Sequence, residues 1–116
     1  SYVYCFNPDL TLKWTYDTGL GNNAIYYTSP VIGCDGTIYV NGGNEMNEGI
    51  LPKAIAINPN GTKKWSIDIE QGGDLYASVP IIIKGVLYCS TSKGKIYGFN
   101  TDTGAIVFEK TITDGT

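Results

Sequence analysis

Carboxylates in turns, three thiols and one glycosylation triplet are the groups of this 116-residue chain that could carry chemistry. Asp9, Asp35 and Asp102 each stand in a turn-forming stretch, where carboxylate oxygens can ligate a hard cation such as calcium. No EF-hand spacing surrounds them, and the usual work of Asp in such turns is to accept a hydrogen bond from the backbone two residues on. No metal is expected. Cys5, Cys34 and Cys89 are odd in number, with neither a close pair nor Cys-x-x-Cys spacing. They read as free thiols, with Cys5 and Cys89 behaving as small apolar strand residues. Asn60-Gly61-Thr62 fits the N-glycosylation pattern, but it coincides with a repeated turn, and turn chemistry accounts for it without a glycan.

Composition narrows the choice of function. All eight basic residues are lysine, so the chain lacks the arginine fork for phosphates and the histidine most used as a general base. Net charge is −3 and there is no basic stripe, which argues against nucleic acid as a partner. No apolar run approaches the ~20 residues of a membrane span. Apolar content of 42% with 16% charged residues suits a folded chain. Fifteen glycines and nine tyrosines, beside three phenylalanines and one methionine, favour strands and turns, hence an all-β fold.

The elements that must position these groups follow one rhythm. Strands are predicted over 2–7, 11–16, 26–32, 37–41, 53–58, 63–69, 77–83, 86–91, 95–100 and 105–111, with long loops over 17–23, 42–52 and 71–74. Pro8-Asp9, Gly33–Gly36, Pro59–Gly61, Lys84-Gly85, Ser92–Gly94 and Thr101–Gly104 mark the turns. Helical periodicity appears nowhere.

The rhythm is a repeat. Asn7 and Asn58 lie 51 residues apart, as do Trp14 and Trp65. Asn58 to Asn100 and Trp65 to Phe108 are spaced by 42 and 43. Ser29-Pro30-Val31-Ile32 matches Val79-Pro80-Ile81-Ile82, and Ile38-Tyr39-Val40 matches Leu87-Tyr88-Cys89. A four-strand unit of roughly 40–50 residues is what one propeller blade requires. Continuous apolar runs such as Pro80–Ile83 suit strands covered on both faces, and Pro30 and Pro80 suit strand starts.

The motif resembles the quinoprotein-type, or PQQ-like, β-propeller repeat, whose outer half reads Ala-x-Asp-x-x-Thr-Gly-x-x-x-Trp, the tryptophan-docking motif. Gly98, Asn100, Thr103, Gly104 and Phe108 keep that spacing, with Gly for Ala, Asn for Asp and Phe for Trp. Cys5, Asn7 and Trp14, and Ala56, Asn58 and Trp65, form copies one residue shorter. The inner half, Ser-Pro-x-Val, a turn and Val-Tyr-Val, is similar to residues 29–40. The resemblance implies blades of four antiparallel strands, about two and a half of them: a half-blade over 1–17 and blades over about 26–69 and 77–111. It further implies that the small first residue makes room for the neighbouring blade's indole, while the Asn caps the turn. Closed propellers have roughly four to eight blades, so the partners expected first are other blades, supplied by chain continuation or self-association.

Two functions follow from the resemblance. The family's non-catalytic branch comprises propellers of cell-surface and envelope proteins, and implies a structural or protein-interaction module in an extracytoplasmic compartment. Free cysteines pull against that compartment. Loops over 19–27, 42–52 and 71–76 then offer Asn22, Asn23, Tyr26, Tyr27, Glu45, Asn47, Glu48, Asp74 and Tyr76 to protein or carbohydrate. The alternative is a fragment of a quinone-dependent alcohol or sugar dehydrogenase, for which PQQ and calcium would be the cofactors. It implies an Arg or Lys near the quinone, an Asp base, calcium ligands and often a vicinal disulfide; the chain has no arginine and no Cys-Cys pair, and no catalytic residue is assigned.

Overall fold

The computed structural model describes residues 1–21, 28–43, 50–69, 75 and 79–112. Among them ten strands form three antiparallel sheets. β1 (Tyr2–Phe6) and β2 (Leu12–Asp17) make a two-stranded hairpin. β3 (Val31–Ile32), β4 (Ile38–Gly42), β5 (Lys53–Ile57) and β6 (Lys63–Asp68) form the first four-stranded blade, in chain order. β7 (Ile81–Ile83), β8 (Val86–Ser90), β9 (Lys95–Asn100) and β10 (Ile106–Thr111) form the second.

Of the chain expected to be extended over 26–32 and 77–83, the described residues 28–30 and 79–80 stand outside the ladders, which take up Val31 and Ile81. Each start falls directly after a proline, which has no N–H to give to a ladder.

The blades stack face to face, and the pleat sorts residues between two cores. β5 shows how. Ile55 and Ile57, both fully buried, join Leu20 and Val40 and pack against Val3, Trp14 and Tyr16 of the first hairpin. Ala54 and Ala56 point the other way, into a core with Tyr39, Trp65, Leu75, Leu87, Cys89, Tyr97 and Phe99. A strand covered on both faces has no polar side to show, which explains the unbroken Ala-Ile-Ala-Ile run. Each fully buried isoleucine contributes roughly 1.5–3 kcal/mol of apolar burial.

Each unit is closed by the same hydrogen bond. The residue after its outermost strand donates its N–H back across the sheet: Thr18 to Ser1 O (3.0 Å), Ile69 to Pro52 O (2.8 Å) and Ile112 to Gly94 O (2.8 Å). Ion pairs tie neighbouring strands at matching places, Lys53 with Asp68 and Lys95 with Glu109. Lys64 lies 3.5 Å from Asp35 and 3.6 Å from Asp102 of the next blade. These carboxylates are mostly in solvent, so the pairs adjust register more than they add stability.

The thiols occupy three environments: Cys89 buried, Cys5 half-buried and Cys34 exposed in the β3–β4 turn. Burial pushes the Cys89 thiol up to about 12, which leaves it protonated. A thiol reagent at about pH 8 is expected to label Cys34 promptly and Cys89 only on unfolding. Modification of Cys89, located by peptide mass mapping while the far-UV spectrum stays native, would contradict this assignment.

Candidate functional site

The motif residues come together at the two blade junctions, and the same contact is built twice. At the first junction the Trp14 indole N–H, on β2, donates to Pro59 O at 3.0 Å. Gly61, in the β5–β6 turn, lies under the ring: a Cβ there would stand 2.7 Å from Trp14 Cγ. At the second junction the Trp65 indole N–H donates to Thr101 O at 2.8 Å, and a Cβ on Gly104 would stand 2.7 Å from Trp65 Cδ2. Both glycines have positive φ, +89° and +76°, where a side chain is strained whatever the space.

Local chemistry explains why the turns can receive a ring. Asn58 N–H bonds to Thr62 O and Gly61 N–H to Asn58 O, at 2.8 and 2.9 Å. Asn60 Oδ1 accepts from the Thr62 N–H and hydroxyl, and Asn58 Nδ2 donates to Thr62 Oγ1. The glycosylation triplet is therefore a closed Asx-turn. The first turn repeats this bond for bond, with Asp9 in place of Asn60: Asp9 Oδ1 accepts from the Thr11 N–H and hydroxyl, and Asn7 Nδ2 donates to Thr11 Oγ1. Those bonds hold the Asp9 carboxyl below its ordinary range. Asp35 is held low for the same reason, chiefly by the backbone and hydroxyl of Thr37. In the longer third turn the acceptor moves to Asn100, whose Oδ1 takes the N–H groups of Asp102 and Thr103.

The small first residue of each copy has a role different from the expected one. Cys5, Ala56 and Gly98 stand directly across the ladder from the aromatic of their own blade: Trp14, Trp65 and Phe108. A Cβ on Gly98 would meet Phe108 Cβ at 2.9 Å. What lies beneath each indole from the neighbouring blade is the turn glycine.

Trp65 is the better enclosed of the two indoles. Only 6% exposed, it lies 6.0 Å centroid to centroid from both Tyr39 and Phe99, and Tyr39 Oη also donates to Thr101 O. Trp14 is half-buried. Phe108 faces away from the stack, edge-on to Tyr88 at 6.0 Å and 42% exposed.

Three residues outside the motif matter as much. Leu20 and Leu75, on stretches predicted as solvated loops, are completely buried. Asn41, also completely buried, donates from Nδ2 to Leu75 O and receives the Thr28 hydroxyl on Oδ1. Leu75 N–H in turn bonds to Gly43 O, so a polar clasp holds this leucine against the first blade. An apolar residue within an otherwise polar loop was the signal available in sequence. Asn22, Asn23, Tyr26, Tyr27, Glu45, Asn47, Glu48, Asp74 and Tyr76, the residues offered for partner binding, all lie outside the described residues. Among the described residues no group of three or more Cys, Asp or Glu gathers in one place.

Comparison by sequence returns no matching family model and no matching curated protein. Comparison by structure returns 51 solved chains. One is the crystal structure of BamB from Moraxella catarrhalis, similar with a TM-score of 0.68 at 17% sequence identity. The likeness covers 98% of this chain and 31% of that one, so the chain spans less than a third of its neighbour's length. With blades of four antiparallel strands stacked through their faces, the fold is that of a β-propeller: one half-blade and two full blades.

Proposed function

We propose that the chain acts as a non-catalytic propeller segment, a structural or protein-interaction module of the PQQ-like repeat type. The observation that carries this reading is the doubled contact of an indole on the next blade's turn glycine. Its strongest sequence motif is thereby committed to holding blades together, as docking motifs built on Trp14 and Trp65. Recognition is left to loops that do not repeat, where Asn22, Asn23, Tyr26, Tyr27, Glu45, Asn47, Glu48, Asp74 and Tyr76 supply polar and aromatic groups suited to protein or carbohydrate. Further blades complete the stack. An extracytoplasmic location rests on the family resemblance, and neither quinone nor calcium is assigned as a cofactor.

The test sets this reading against a dehydrogenase fragment. Incubated with PQQ and calcium and offered alcohols and sugars with an artificial electron acceptor, the protein is expected to show no bound quinone absorbance and no dye reduction above buffer. Turnover that depends on added quinone would overturn the proposal.

A further inference from the structure

The sequence holds two Asn-Gly pairs, Asn41-Gly42 and Asn60-Gly61. Asparagine before glycine is the pairing most open to spontaneous loss of ammonia, because no Cβ shields the glycine nitrogen from the amide beside it. That nitrogen gives up its proton and attacks Cγ of the asparagine. A C–N bond forms, the Cγ–Nδ2 bond breaks, and ammonia leaves behind a five-membered succinimide. Water then opens the ring at either carbonyl to give aspartate or iso-aspartate, and nothing is oxidised or reduced.

The fold treats the two pairs differently. Asn41 is completely buried, its amide is engaged by Leu75 O and the Thr28 hydroxyl, and Gly42 is paired with Lys53 in the ladder. Turning either group toward the other would break the ladder or the clasp. Asn60 is exposed at the tip of the β5–β6 turn. Its Oδ1 takes the Thr62 N–H at 3.1 Å and the Thr62 hydroxyl at 2.6 Å. Two donors on that oxygen are what an oxyanion developing at Cγ requires, so the electrophile is activated where it stands. The nucleophile is what the turn withholds. Gly61 N–H donates to Asn58 O at 2.9 Å, and Trp14 grips the turn on both sides of Asn60, with its indole N–H on Pro59 O and its ring against Gly61. Bringing the glycine nitrogen onto Cγ must break the bond to Asn58 O and slide Gly61 from beneath the ring.

We propose that Asn60 is a deamidation site gated by the first blade junction, intact while Trp14 is seated on the turn and reactive when that contact opens. Asp9 shows how the turn receives the aspartate product, since it already holds a carboxylate by the same two bonds, to the N–H and hydroxyl of Thr11. A site of this kind records each opening of the junction as a permanent negative charge at its edge.

Incubation at mildly alkaline pH, with peptide mass mapping at intervals, tests this on the native protein, the protein in urea and the Trp14→Ala variant. Asn58 is followed by proline, which has no N–H to attack with, so the tryptic peptide 54–63 reports Asn60 alone. In the native protein Asn60 is expected to lose ammonia at least about tenfold more slowly than in urea. Trp14→Ala should restore most of that difference while Asn41 in the same sample stays intact. Asn41 thereby separates opening of the junction from unfolding of the whole chain. If Trp14→Ala loses the native far-UV spectrum, Trp14→Phe takes its place; it keeps a ring over Gly61 but has no N–H for Pro59 O, and a smaller rise is expected. Equal rates in buffer and urea, a folded Trp14 variant no faster than the native protein, or Asn41 reacting in step with Asn60 would each overturn the proposal.

Discussion

Trp65→Ala is expected to lower the unfolding free energy by about 3–5 kcal/mol, a large share of the ~5–15 kcal/mol typical of a domain. Three losses combine. The ring leaves a cavity between Tyr39 and Phe99, since neither blade can collapse inward without breaking its ladder. Thr101 O loses its 2.8 Å donor. Gly104 keeps a conformation chosen for a ring no longer present. Trp14→Ala makes the comparison, because its indole has the same partners by type but is only half-buried. Its cost should be distinctly smaller. Urea denaturation followed by far-UV circular dichroism measures both. Equal losses at the two sites would mean that burial at the second junction does not set its strength. Trp65→Phe removes the N–H with part of the ring, and should cost roughly 1–2 kcal/mol from the hydrogen bond alone.

The fold was legible because the repeat announces itself at every level. Asn7, Asn58 and Asn100 mark the turns, Trp14, Trp65 and Phe108 follow at nearly fixed distance, and strand alternation fills the gaps. Less legible was which residue lies beneath which. Ala56 and Trp65 share a blade as ladder partners, and a spacing of nine residues says nothing about whether small meets large within a sheet or between sheets. The burial of Leu20 and Leu75 was hidden for a related reason. Both stand beside glycines, asparagines or acidic residues that mark solvated loops, and their burial depends on a neighbouring blade face that only the stack creates. Asn41 was hidden too, because a polar residue in a strand gives no warning that a carbonyl will meet it in the core.

Leu10→Gly and Gly104→Ala exchange side chains in opposite directions at equivalent positions of two turns, and their expected effects have opposite signs. At Gly104 the new methyl group meets two obstacles. A left-handed backbone costs an L-residue about 1–2 kcal/mol, and the methyl would stand 2.7 Å from an indole fixed by its own blade. Together these should destabilise by roughly 2–4 kcal/mol, since overpacking alone typically costs 1–3. At Leu10 that backbone strain is already present at φ 70°, while the side chain, 83% exposed, buries almost nothing in return. Glycine relieves the strain but adds freedom to the unfolded chain, which takes back about 0.4–1 kcal/mol. The net expectation is a monomer more stable by roughly 0.5–1 kcal/mol, read as a rise in the urea midpoint at low protein concentration. An unchanged or lowered midpoint would show that the Leu10 side chain stabilises its own turn despite the positive φ.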